Sequence, residues 1–233
     1  MRVWDISPGH LNRQSLLGEH RELHGLYNIL NEGKRGYSQH PETLRWVGAL
    51  SGLALRHAQL AAEMRLRGYT DRTPLPLTSR RARWPAHFVT EPAEQFTLLG
   101  AKYSDKEPGR IPLPRDAQEL WAQHKYSVMA RDPERYRQIG RAAAKMRKHE
   151  SVDELARELV LILRRRPTAA RLVNALEHLW GHVRKFASPE DKRQAAESPT
   201  ARLALIQSLA LEHSEPFLLA STALGELSVW LAC

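Results

Sequence analysis

Residues 11–36, LNRQSLLGEHRELHGLYNILNEGKRG, decide the fold class. Leucine, glutamate and arginine dominate the stretch, and strict alternation of β-branched residues is missing. It therefore reads as one helix from about Leu11 to Asn31 that stops at Gly33, with Gly36 reinforcing the break. The same texture continues outward in both directions, so the chain is predicted to be all-α. A second helix is predicted to begin after His40-Pro41 and to run to Gly68. Between Thr73 and Pro114, prolines 74, 76, 85, 92, 108, 112 and 114 surround one short helical candidate, Pro92 to Tyr103, and the segment reads as a wrapping arm or a linker. Beyond it, helix starts are marked at Asp132-Pro133-Glu134, at Ser151 with Glu154 as a capping box, at Ser188-Pro189-Glu190 and at Ser214 before Pro216. The second half is expected to be a bundle of five or six helices. Two domains follow, 1–114 including the arm at about 73–114, and 115–233.

Charge narrows the partners. Lysine and arginine total 35 against 26 aspartates and glutamates, a net charge of +9 with a sequence pI near 10.0, which favours a polyanion such as nucleic acid, although basic charge also serves solubility. With 42% hydrophobic residues in 233, a core of real size can be buried. The single cysteine, Cys233, excludes an intrachain disulfide and a thiolate-rich metal cluster. The opening residues lack the apolar run of a signal peptide, and no apolar stretch is long enough to cross a bilayer, so a soluble cytoplasmic protein, associated with the nucleoid, is expected.

The opening Met1-Arg2-Val3-Trp4-Asp5-Ile6, the run Leu16-Leu17-Gly18-Glu19-His20-Arg21-Glu22-Leu23-His24, the Gly33-Lys34-Arg35-Gly36-Tyr37 loop, the pairs Arg45-Trp46 and Arg56-His57, and Arg67-Gly68-Tyr69 together resemble the pyrimidine-dimer DNA glycosylase and AP-lyase family typified by the phage T4 enzyme. That resemblance implies a compact helical domain acting on damaged double-stranded DNA. The terminal α-amine attacks C1′ of the deoxyribose, and the strand is cut by β-elimination through an imine. An α-amine of ordinary pKa, about 7.7–8.0, is neutral in roughly a tenth of molecules at pH 7, far more than an ordinary lysine. The carboxylate that the imine route needs matches Glu22, and the nucleophile matches Met1. Arg2 and Arg21 match DNA-contacting residues of the family, and Lys34 and Arg35 suit further phosphate contacts. No metal or organic cofactor is needed. The chain departs from the family in carrying Met1 where the phage enzyme exposes threonine, and Ser15 where it has histidine.

Each of these features has a plainer alternative. Glu19, Arg21 and Glu22 also suit an ordinary solvated helix face. His20 and His24 stand one helical turn apart, a spacing that suits two imidazoles on one metal, but Glu22 lies about 200° around the helix from His20. The order is not that of zinc peptidases, so the pair is read as groove-facing or surface histidines, with no metal site. In the arm, Arg80, Arg81, Arg83 and Trp84 suit phosphate contact with stacking on a base, or equally a basic linker anchored by its tryptophan.

Residues from about Leu120 to Leu231 resemble the YbgA-like helical domain, whose function is unknown. The resemblance rests on His124-Lys125-Tyr126, Met129-Ala130-Arg131, Tyr136-Arg137, Gly140, Asn174, His178, Gly181 and His213. Asn174, His178 and His182 recur every four residues and share a helix face. With His124, Lys125, Tyr136 and Arg137 they suit a polar cleft for a nucleotide or a second nucleic-acid contact, or else buried groups that hold helices in register. Arg164-Arg165-Arg166 is explained by the dipole at a helix C-terminus. Two further function classes stay open: a non-catalytic nucleic-acid-binding protein, and a nucleobase- or RNA-modifying enzyme whose cleft lies in the second half.

Overall fold

A computed structural model describes residues 1–77, 82–146 and 152–231. Among them there is no strand, and the fold is all-α. No helix among them is long and apolar enough to cross a membrane. The first six residues are extended, and a 3-10 turn at Pro8–His10 leads into α1, Arg13–Glu32. The Asn12 side chain caps α1 by accepting from Ser15 N at 2.9 Å, and Gly33 closes it at φ 67°, a left-handed conformation that glycine adopts without strain.

The helix expected over 41–67 is two helices, α2 at Pro41–Arg45 and α3 at Leu50–Leu66. Gly48 sits between them at φ 72°, which no helix accommodates. α3 is buried along nearly its whole circumference, because neighbours cover it from both sides: α1 on one and the C-terminal helices on the other. The arm runs beside it. Arg83 N donates to Ser51 Oγ at 2.9 Å, and a Cβ on Gly52 would lie 2.2 Å from Arg83 O, so glycine there lets the two backbones touch.

The short helix of the arm is α4, Pro92–Lys102, close to its expected bounds. The later helices are α5 (Ala117–Met129), α6 (Pro133–Ala143), α7 (Asp153–Leu163), α8 (Ala169–Val183), α9 (Pro189–Glu197), α10 (Pro199–Glu212), α11 (Pro216–Leu219), α12 (Ala223–Glu226) and α13 (Ser228–Leu231). Asp132 caps α6, and Ser188 forms a full capping box with Asp191 on α9. Ser151 lies outside the described residues. The expected cap at Ser214 is instead made by Glu215, whose carboxylate accepts from Leu218 N at 2.7 Å, while Ser214 turns the chain at φ 49°.

Two apolar clusters hold these helices together. One joins Leu16, Leu23, Trp46, Leu53 and Leu60 to Leu99, Leu120 and Leu159. The other joins Leu55, Ala62 and Leu66 of α3 to Leu176, Ile206, Leu218, Leu224 and Trp230. Both draw on residues from either side of position 114.

Candidate active site

The extended N-terminal segment is pinned by buried charges. Arg45 donates to Val3 O at 3.1 Å and pairs with Asp5 at 3.0 Å, Arg164 pairs with Asp5 at 2.7 Å, and Arg56 donates to Ile6 O at 2.8 Å. Val3, Trp4 and Ile6 are thereby held in the core, and Met1 is left at the wall of a cavity of about 410 Å³. Another part of the lining is one face of α1, where Ser15, Gly18, Glu19 and Glu22 follow at helical spacing. Leu98 and Lys102 of α4 complete it. A Cβ on Gly18 would meet nothing within 4 Å, so this glycine keeps the wall low.

Two glutamates of that face differ sharply in chemistry. Glu19 is buried and bidentate to Arg56, at 2.7 and 2.9 Å, and both its oxygens are committed. Glu22, half-buried, makes no ion pair or hydrogen bond among the described residues. It is an uncommitted carboxylate in the lining of the cavity that Met1 also lines. Lys102 donates to Ser15 Oγ at 3.0 Å. Desolvation, then the like charges of Lys106 and Arg2, hold its amine below the ordinary lysine range. Sequence reasoning missed Lys102, because nothing local in Gly100-Ala101-Lys102 marks it; only the packing of α4 against α1 and the N-terminal segment brings it to the cavity.

The expected DNA-contacting residues occupy distinct settings. Arg2 is exposed, 5.1 Å over the Trp4 ring, and Arg21 is exposed beside Glu22 on α1. Lys34 and Arg35 are exposed in the loop after α1, where Lys34 pairs with Glu32 at 2.6 Å. Arg83 is exposed, and Arg81 lies outside the described residues. Trp84 is half-buried, 6.0 Å from Trp46, with the Arg164 guanidinium 5.0 Å over its ring. Those surroundings match the anchoring alternative for Trp84 rather than base stacking. They also place Arg164 inside the fold, in an ion pair that its position at a helix end did not announce.

In the second half the seven residues expected to share a cleft are dispersed. His124 is buried, with Nδ1 2.8 Å from Leu120 O and its ring stacked on His10 at 5.8 Å, so it faces the N-terminal part. Arg137 pairs with Glu134 on the outside, and Asn174 and His178 are exposed. Lys125 stands 4.8 Å over the ring of Tyr126, and Tyr136 packs on Trp121 at 5.3 Å. The tight polar contact here is Tyr126 Oη to His182 Nε2 at 2.6 Å, which serves helix packing between α5 and α8.

Each half of the chain contains a match to a known family. Residues 1–77 match the family of pyrimidine dimer DNA glycosylases. Residues 125–225 match a protein family of unknown function, DUF1722, in agreement with the YbgA-like resemblance. Comparison with curated proteins and with solved structures returned no match. The glycosylase match contains Met1, Arg2, Arg21 and Glu22, whereas Lys102 lies beyond it. The glycosylase-like part therefore supplies most of the cavity lining, and α4 adds Leu98 and Lys102.

Proposed function

We propose that the chain is a DNA-repair glycosylase with AP-lyase activity on damaged pyrimidine nucleotides in double-stranded DNA. The observation that carries it is the cavity lined by both Met1 and the unpaired Glu22, within a segment matching a pyrimidine dimer glycosylase family. In the proposed reaction the α-amine nitrogen bonds to C1′ as the glycosidic bond breaks and the base leaves with a proton. Ring opening then gives an imine. Loss of a C2′ proton and of the 3′ phosphate cuts the strand, and water releases the amine. Glu22 stabilises the cationic sugar and carries the proton, while Arg2 and Arg21 hold the flanking phosphates.

Lys102 gives a second reading of the same reaction, supported by its place in the cavity and its depressed basicity: its amine, rather than that of Met1, forms the imine. Borohydride reduction during incubation with DNA bearing an abasic site or a pyrimidine dimer tests both. A covalent adduct is expected, with the modified peptide at Met1; an adduct at Lys102 selects the second reading. Intact-mass measurement of the N-terminus accompanies it. No adduct on either substrate, with DNA binding retained, overturns the enzyme in favour of a non-catalytic DNA-binding protein.

A further inference from the structure

On the side of α1 turned away from Glu22, His20 and His24 meet His57 of α3 and Asp71 of the segment that follows α3. Their nearest ligand atoms all lie within 4.8 Å of one another. His57 Nε2 is 3.1 Å from His24 Nε2, His20 Nε2 is 3.3 Å from Asp71 Oδ1, and His57 Nε2 is 4.0 Å from Asp71 Oδ2. The three rings crowd face and edge at 4.5 to 4.9 Å between centroids. We propose that His20, His24, His57 and Asp71 are the four ligands of a structural zinc ion that clamps α1, α3 and the start of the arm together.

Local structure builds this cluster. His20 and His24 are one turn apart and so share a face of α1, the face that packs on α3. Gly68, at φ 80°, ends α3 and reverses the chain, with Tyr69 N bonded back to Met64 O at 2.9 Å, which returns Asp71 to the α1–α3 seam. Thr73 N then donates to Asp71 Oδ1 at 3.0 Å, an outer contact that orients a ligating carboxylate. The cluster is recessed: the side chain of His57 is 2% exposed, that of Asp71 11% and that of His20 14%.

Hydrogen bonding alone accounts for this arrangement poorly. His24 Nε2 stands 3.1 Å from both His57 Nε2 and Thr73 Oγ1, yet one ring nitrogen offers a single proton or a single lone pair. Three imidazoles and a carboxylate with ligand atoms gathered within 4.8 Å of one another are instead a set of converging lone pairs. A tetrahedral zinc ion with Zn–N distances of about 2.0–2.1 Å requires ligand atoms about 3.3 Å apart. The shortest separations here meet that spacing, and small side-chain rotations close the longer ones. Imidazole with carboxylate suits zinc, and four protein ligands with no open position mark a structural ion rather than a catalytic one. The sequence displayed only the His20–His24 half of the set, because His57 lies 33 residues beyond His24 and is joined to it by folding.

The test uses the full chain without a polyhistidine tag. Elemental analysis is expected to find about one zinc per chain, retained through dialysis. After chelation, titration with cobalt(II) is expected to give the intense visible bands of a tetrahedral site, ending at one equivalent. His24→Ala and Asp71→Asn, with far-ultraviolet circular dichroism to check folding, are expected to weaken cobalt binding at least tenfold, whereas Glu22→Gln keeps it. Only the weak bands of six-coordinate cobalt, or an unchanged tetrahedral spectrum in folded His24→Ala, overturns the site. Should the variants fail to fold, the wild-type chain decides. Its unfolding temperature rises with added zinc and falls with chelator if the site exists, and an unchanged value in both overturns it. None of these readouts depends on DNA cleavage.

Discussion

Glu22 and Glu19 stand one turn apart on the same wall, and of the two only Glu19 is held in an ion pair among the described residues. Glu22→Gln removes a free carboxylate from the cavity and leaves no buried charge behind. It is expected to lower strand cleavage at abasic DNA by at least about 10²-fold with little change in stability, measured by single-turnover cleavage and urea unfolding. Glu19→Gln strands Arg56 and is expected to cost roughly 3–5 kcal/mol in the same unfolding experiment. The sequence motif made Glu22 legible, but the partner that removes Glu19 from the chemistry sits 37 residues away and was not. Another residue-level effect concerns acid. Burial drops His124 from 6.5 to about 4, against the upward pull of Leu120 O and Glu226. Between those two values the unfolded chain takes up a proton that the folded chain refuses, so stability is full above about pH 6.5 and falls as pH drops towards 4. The loss from this group is roughly 3 kcal/mol. Urea midpoints at pH 7 and pH 5 are expected to differ in the wild type and to differ less in His124→Gln, with buried His10 and His57, whose basicity burial also lowers, keeping the remainder; an undiminished difference in the variant would assign the acid sensitivity elsewhere.

At the scale of elements, α1 could be read almost to its ends: Gly33 is a strong local stop that the structure uses as such, whereas the start reads as Leu11, two residues before the helix that Asn12 caps. The break between α2 and α3 could not. Trp46-Val47-Gly48-Ala49 carries no proline, and a lone glycine inside a helical pattern is often tolerated; here the turn lets α2 present Arg45 to Asp5 while α3 dives into the core. The arm's position was equally hidden, since it depends on a bare backbone surface at Gly52. Gly52→Ala places a methyl group 2.2 Å from Arg83 O, a backbone atom that cannot rotate away. The arm must lift, and Trp84 must leave Trp46 and Arg164. A destabilisation of about 1–3 kcal/mol is expected, with greater quenching of tryptophan fluorescence by acrylamide. Unchanged quenching would show that the arm is not seated on α3.

Across the whole molecule, α3 is the common wall of two cores, and ion pairs fasten the structure beyond it. Glu63 of α3 pairs with Arg67 at 2.8 Å and with Arg110 at 2.7 Å, and Arg110 also donates to Leu219 O at 2.6 Å and to Ser221 O at 3.2 Å. Burial works against the Glu63 carboxylate, but Arg110 and Arg67 outweigh it and hold its pKa below the ordinary range. Arg131 and Glu226 form a second buried bidentate pair at 2.9 and 2.8 Å. The bonds of Arg110 fasten α3 and the arm to the C-terminal helices, while Arg131–Glu226 ties the end of α5 to α12 within the second half, so the folding of the glycosylase-like part is expected to depend on the helices after it. A fragment ending at Pro114 would expose Leu55, Ala62 and Leu66 of α3 and would lose Leu120, Leu159 and Ile162 from the other core. Each large apolar side chain left uncovered forfeits about 1.5–3 kcal/mol, so together they are comparable to the roughly 5–15 kcal/mol that holds a typical domain folded. The fragment 1–114 is therefore expected to lack fixed tertiary structure, seen as lost near-ultraviolet circular dichroism and binding of a hydrophobic dye, while the full chain unfolds in one cooperative transition. A fragment that folds cooperatively, or a full chain that melts in two separate steps, would mean that the shared helix does not couple the halves.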